Sequence, residues 1–221
     1  MANDSHAAPT GRYTEVTMRR TRWFSALATA ALAAAGCSDS NGPGGVTRPP
    51  EELVILRLAA ASPPIWNPEV SFWARNDQGR EAKIWFQDPE GNAGEEYLRF
   101  KVPSGGLLTY PDGTPFGVQD SVLITIRVVD PARLLFEFEP AGLRFSPAEP
   151  AQLEIEYAEA DDDLDEDGDV DAEDEALEGE IYVWRQRNPG DPFERLFTLR
   201  FEDLDELEAD IPGFSRFAIA Y

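Results

Sequence analysis

Cysteine and histidine are nearly absent: the chain holds one of each, Cys37 and His6, and beyond Cys37 it has neither. For everything downstream, that excludes Ser-His-Asp and Cys-His catalysis, zinc held by His or Cys, and any intrachain disulfide. Metal chemistry is left with oxygen ligands, which suit calcium or magnesium. Positive charge is scarce as well. Nineteen Lys and Arg stand against 42 Asp and Glu, for a net charge of −23. A field of that sign attracts cations and repels nucleic acid and anionic headgroups, so nucleic acid is excluded as a partner. Long apolar runs are missing too: Phe24–Ala35 is twelve residues, short of the ~20 that a bilayer needs. Core-forming residues are not lacking. With 42% hydrophobic and 11% aromatic content over 221 residues, the chain suffices for one domain, with or without a small appendage.

The N-terminal 36 residues read as an export leader. Met18-Arg19-Arg20-Thr21-Arg22 is basic, Phe24–Ala35 is apolar, and Gly36-Cys37 closes the run, the order of a signal peptide. Leu32-Ala33-Ala34-Ala35-Gly36-Cys37 resembles a bacterial lipobox, with Ala34 where that motif favours Leu. The resemblance implies cleavage before Cys37 and acylation of its thiol, a membrane partner through the lipid anchor, and, with Ser38 following, an outer-membrane lipoprotein of the cell envelope. Residues 1–17 do not belong to such a leader, which points to translation starting at Met18. Residues 37–52, small, polar and rich in Gly and Pro, form a flexible tether. Beyond the leader, fifteen basic residues face forty acidic ones, a balance of −25.

From Leu53 the period changes to two, which predicts strands. Leu53–Leu58 opens the series. Val70–Arg75 and Ala82–Gln87 flank Asn76-Asp77-Gln78-Gly79 as a β-hairpin, which would set Trp73 beside Trp85, either as packing or as an aromatic platform for sugars. Tyr97–Val102, Val122–Val129, Leu135–Glu139, Leu153–Tyr157, Ile181–Trp184, Leu196–Phe201, Leu207–Ile211 and Phe217–Tyr221 complete the set. The fold class is all-β: an antiparallel β-sandwich or partly closed barrel, with one short helix after an inserted acidic loop. The domain is expected over 53–221, with the insertion at 158–178.

Within 105–221 the order of features is similar to the ZU-five domain of ankyrins, netrin receptors and tight-junction scaffolds. Gly105-Gly106-Leu107-Leu108 precedes Pro111-Asp112-Gly113-Thr114 and the strand at Val122. Phe138 to Ser146 resembles the family's Pro-x-Gly-Leu-x-Phe segment, Ala151–Tyr157 its Pro-x-x-Leu strand, and Ile181–Trp184 its aromatic strand. Asp210 to Ile219 resembles the terminal His-Phe-Ser-x-Tyr-Ala stretch. The resemblance implies a role in protein–protein contacts. In some members the His-Phe-Ser sequence cleaves itself; here Gly213 stands in place of the His before Phe214 and Ser215, which argues against cleavage.

The acidic stretch Asp161–Glu178 interrupts the strands. An EF-hand type loop needs oxygen ligands at positions 1, 3, 5, 9 and 12, a backbone carbonyl at 7 and Gly at 6. Counted from Asp163, the ligand positions fall on Asp163, Asp165, Asp167, Asp169, Asp171 and Asp174, with Gly168 sixth and Val170 eighth. Acids match such positions cheaply; the specificity lies in Gly168 and Val170. Asp171 also suits the N-cap of a helix over Ala172–Leu177. One exiting helix and Asp at position 12 resemble the calcium loop of dockerins, although those proteins carry two loops and Glu202–Glu208 lacks the glycine. The alternative is a solvated acidic loop that binds nothing. The sequence thus predicts a non-catalytic, lipid-anchored binding or scaffold module with weak structural calcium and a protein or glycan partner. The other reading is a carbohydrate-active or self-processing enzyme.

Overall fold

Alternation of apolar and polar residues sets the strands of this protein, and the computed structural model describes residues 45–221 of it. The leader over 1–36, the Met18 start and the lipidation at Cys37 lie outside the described residues. In chain order the strands are β1 (Thr47–Arg48), β2 (Glu69–Arg75), β3 (Arg80–Gln87), β4 (Ala93–Val102), β5 (Leu107–Thr109), β6 (Ser121–Asp130) and β7 (Leu135–Glu139). They continue as β8 (Arg144–Phe145), β9 (Ala151–Glu156), β10 (Tyr182–Gln186), β11 (Phe193–Arg195), β12 (Thr198–Phe201), β13 (Glu206–Ile211) and β14 (Arg216–Ala220). One α-helix, α1 (Ala172–Glu178), lies between β9 and β10.

The strands form two main antiparallel sheets, ordered β1-β11-β10-β14-β7-β6-β2 and β12-β13-β9-β4-β3, with a small β5-β8 pair beside them. The sheets face each other as an open sandwich, not a closed barrel. In β6, Ile124 and Ile126 are fully buried; in β7, Phe136 and Phe138 are buried while Glu139 is exposed. That is the period-two pattern of a half-buried sheet. Aromatic contacts tie the layers together: Phe100 of β4 meets Phe138 of β7 at 5.2 Å edge-on, and Tyr97 meets Phe136 at 5.5 Å. Residues 53–104 supply strands to both sheets.

Three sequence expectations need correction. The hairpin expected over 70–87 does not form: β2 pairs with β6, whereas β3 pairs with β4 in the other sheet. The turn at 76–79 therefore carries the chain between layers. Apolar alternation cannot distinguish that from a hairpin, because both sheets bury one face. Leu53–Leu58 is extended but makes only isolated bridges, Ile55 to Ala220, Arg57 to Arg133 and Leu58 to Ala160. The ordered body also begins before residue 53. Thr47 and Arg48 pair with Glu194 and Phe193, and the Arg48 guanidinium lies 5.4 Å from the Trp184 ring centroid.

Candidate metal loop and the pockets around the sandwich

The acidic insertion occupies a structural junction, since β9 belongs to one sheet and β10 to the other. Backbone bonds hold its entry: Ala160 N–H donates to Tyr157 O (2.8 Å), Asp161 N–H to Arg57 O (2.9 Å), and Ala59 N–H to Glu159 O (2.9 Å). Leu164 packs against the main core, and its carbonyl accepts from the Tyr221 hydroxyl. Leu177 packs inward from the exit helix, and Tyr157 Oη donates to Glu178 at 3.3 Å. The loop is thus fastened by apolar contacts, by main-chain bonds and by two side-chain contacts, Tyr157 with Glu178 and Arg57 with Glu166 at 3.0 Å; its aspartates organise among themselves.

The carboxylates fold the loop around Asp163 and Asp174. Asp163 accepts the N–H groups of Asp167 (3.1 Å) and Gly168 (3.0 Å). Asp174, only 4% exposed, accepts from Leu164 (2.7 Å), Asp165 (3.2 Å) and Asp171 (2.9 Å). Asp171 caps α1 by accepting from Glu173 N–H (2.7 Å), so Asp171 and Asp174 form a reciprocal capping box. Gly168 has φ +101°, and nothing lies within 4 Å of a Cβ placed there. Its requirement is therefore backbone conformation, not space. The sharp turn at the sixth loop position follows from that residue.

Ligand atoms of Asp163, Asp165 and Asp174 lie within 4.8 Å of one another. Of the six expected ligand positions, these three converge. Asp167 and Asp171 turn a carboxylate oxygen to the N–H groups of Asp169 and Glu173, and Asp169 is exposed outside the trio. A carboxylate offers about four acceptor sites. Asp174 Oδ1 already accepts twice and Oδ2 once, leaving one site on Oδ2. Asp163 retains one on each oxygen, so the residues present fit a hard cation. Backbone N–H donors, that of Asp171 foremost, hold Asp174 below the usual carboxylate range. Burial pushes Asp165 above it, and the charges of Asp167, Asp174 and Asp163 add to the shift. A cation would relieve that crowding.

An open pocket of about 240 Å³ adjoins the loop, lined by Leu56, Tyr157, Leu164, Val170, Asp174 and Ile181 among others. Nothing local in the sequence marks Tyr221 as an anchor, since it lies 57 residues from Leu164. Leu164, a lone apolar residue among acids, was the readable hint that the loop docks.

The aromatic platform does not form. Trp73 is 61% exposed and lies opposite Leu123 in one sheet; Trp85 lies opposite Glu96 in the other, with Lys83 Nζ 5.2 Å from its ring centroid. Trp184 is buried and donates its indole N–H to Ala220 O at 2.9 Å. At the C-terminal motif, Phe214 packs among Phe100, Phe138 and Phe145. A Cβ on Gly213 would lie 2.6 Å from Leu143 O, so no side chain fits there in this backbone arrangement. Among the described residues no helix is long and apolar enough to cross a membrane. No protein-family model, curated protein or solved structure matches the chain.

Proposed function

We propose that the protein is a non-catalytic binding or scaffold module of the cell envelope, anchored by lipid at Cys37 and steadied by one calcium ion in the 158–178 loop. The observation that carries the calcium reading is the convergence of Asp163, Asp165 and Asp174 around a left-handed Gly168. Calcium takes six to eight oxygens; the trio would supply the side-chain share, with backbone carbonyls and water completing the set. The ion would neutralise clustered carboxylates at the point where the chain passes between sheets. The ZU-five-like order of segments supports a role in protein contacts by analogy only.

A lone extracellular loop of this type binds at roughly 10⁻⁴–10⁻³ M. At a tenfold excess over Kd, binding contributes about 1.4 kcal/mol of stability, or a Tm rise of about 3–6 °C for a domain of this size. Calcium should therefore raise Tm relative to chelator, and the Asp163→Asn, Asp165→Asn double variant should abolish the difference. Equal melting curves in the unmutated protein would remove calcium from the reading. The same reading leaves the Phe214–Ser215 bond intact. It is supported by the lack of space at Gly213 and by the absence of any histidine beyond His6. Mass spectrometry should find no seven-residue C-terminal fragment; its appearance would make the protein self-processing.

A further inference from the structure

In a protein of net charge −23, one pocket is lined by arginines and by no acid. It measures about 330 Å³ and lies between the β7–β8 turn, the end of β10 and the segment leading into β14; its lining includes Arg144, Arg185, Arg187, Asn188 and Ser215. Three segments distant in sequence bring these groups together. Arg185 and Arg187 share a single carboxylate oxygen, Glu194 Oε2, at 3.5 and 3.2 Å. Arg144 makes no ion pair among the described residues. Asp191 stands beside the rim, accepting from Asn188 Nδ2 at 2.7 Å, so three guanidiniums face two carboxylates and one positive charge is left in excess.

A second observation is independent of the charge count. Ser215 is only 5% exposed, and its hydroxyl has no hydrogen-bond partner; the Arg185 Nε is buried and equally unpartnered. Buried polar groups are normally satisfied, and an orphan costs its desolvation. The Arg185 side chain is 13% exposed. Burial holds its guanidinium below the usual value, with Arg187 and Arg144 acting in the same direction and Glu194 opposing them. A desolvated, under-neutralised guanidinium is stabilised by an incoming anion.

We infer that this pocket binds a small anion whose charge sits on oxygen atoms, held by the Arg144, Arg185 and Arg187 guanidiniums with the Ser215 hydroxyl donating beside them. Guanidinium forks match both carboxylate and phosphate oxygens, and an anion matches the sign of the local excess. The inference does not depend on calcium: none of the pocket's lining residues belongs to the 158–178 loop. The acidic surface elsewhere disfavours anions at long range, so the site should be selective for ligands that reach the guanidiniums directly.

The test uses the full chain in chelator at about 0.15 M ionic strength, near physiological, and follows Tm and amide NMR shifts with inorganic phosphate, with succinate, and with sodium chloride matched for ionic strength. Phosphate or succinate should raise Tm beyond the chloride control and shift the amides of residues 185–188 and 213–215. A response to phosphate alone identifies a phosphoryl ligand, and a response to succinate alone a dicarboxylate. Arg144→Ala and Arg187→Ala, both at exposed positions, should each weaken binding about tenfold, the loss expected for one charged hydrogen bond, whereas Arg133→Ala should not. Ser215→Ala should raise Tm without ligand and reduce the anion's effect. Responses no larger than chloride for both anions, or equal losses in Arg133→Ala, would overturn the site. A Ser215→Ala variant that melts lower without ligand would overturn the hydroxyl's part in it.

Discussion

Gly213 and Gly168 resist substitution for opposite reasons. Gly168 has free space around it but a backbone angle that L side chains rarely adopt; Gly213 has no such angle but meets the Leu143 carbonyl 2.6 Å from where its Cβ would stand. The bonds from Phe214 N–H to Leu143 O (2.8 Å) and from Phe145 N–H to Pro212 O (3.2 Å) fix this approach. Gly213→Ala must therefore push two backbone segments apart. It should cost about 1–3 kcal/mol, as overpacking does, measurable as a lower urea midpoint with unchanged m-value. An unchanged midpoint would show that the segment yields freely. The sequence identified Gly213 only as a departure from a His-containing motif. Its steric reason was hidden because Leu143 lies seventy positions earlier.

At the scale of elements, β9 and β13 carry a conflict that their pairing creates. Glu156 and Glu206 are direct cross-strand partners, and like charges placed opposite each other destabilise a sheet. Nearby, Glu154 is clamped by Arg99 at 2.6 Å and by Lys101, whereas neither Glu156 nor Glu206 has an ion pair among the described residues. Burial raises both carboxyls above their ordinary value; Glu96 adds to the shift of Glu156, and Glu154 to that of Glu206. An acid whose folded pKa is raised binds its proton more tightly in the native state. Its contribution to stability therefore grows as pH falls through the raised value towards the ordinary one, and is lost as pH rises. Glu206→Gln should raise Tm at pH 7 and flatten the slope between pH 7 and 5, read by calorimetry; a lower Tm at pH 7 would refute the repulsion.

The element scale also shows what could be read beforehand. Long alternating strands such as β6 and β7 were legible because burial on one face writes itself as period two. The capping role of Asp171 was legible because the helix it starts is local. The partners of β2 and β3 were not, since the same alternation serves a hairpin and a sheet-to-sheet crossing. Strand β11, three residues long, carries too little pattern to register. In the loop, glycine and spacing located the turn correctly, but which carboxylates converge depended on the path of the backbone, which brings Asp174 at the start of α1 back against Asp163 and Asp165. The arginine pocket had no local signal at all, being assembled from residues 141–144, 185–188 and 212–215.

For the whole molecule, the charge of −23 on 221 residues acts against compactness through self-repulsion. Raising sodium chloride from about 10 to 150 mM shortens the screening length from about 30 to about 8 Å. In chelator, Tm should therefore climb steadily over this range, and the increment from calcium should shrink as salt takes over part of the neutralisation. A salt-independent Tm would mean that the ion pairs on the β3–β4–β9 face, such as Lys83 with Glu96 at 2.7 Å, already offset the repulsion.

The pairing of β1 with β11 has a mechanical consequence. β1 is two residues long and forms the outer edge of its sheet, held inward by one neighbour and by the Arg48 guanidinium over Trp184. Tension applied from the N-terminal side would reach this edge before the strands behind it. Residues 45–52 hold a contour of roughly 25–30 Å, at about 3.3–3.6 Å per residue, and release would add the part of it not already spanned in the folded edge. The edge strand is then a short reserve of slack that a pull from this side would take up before the core opens.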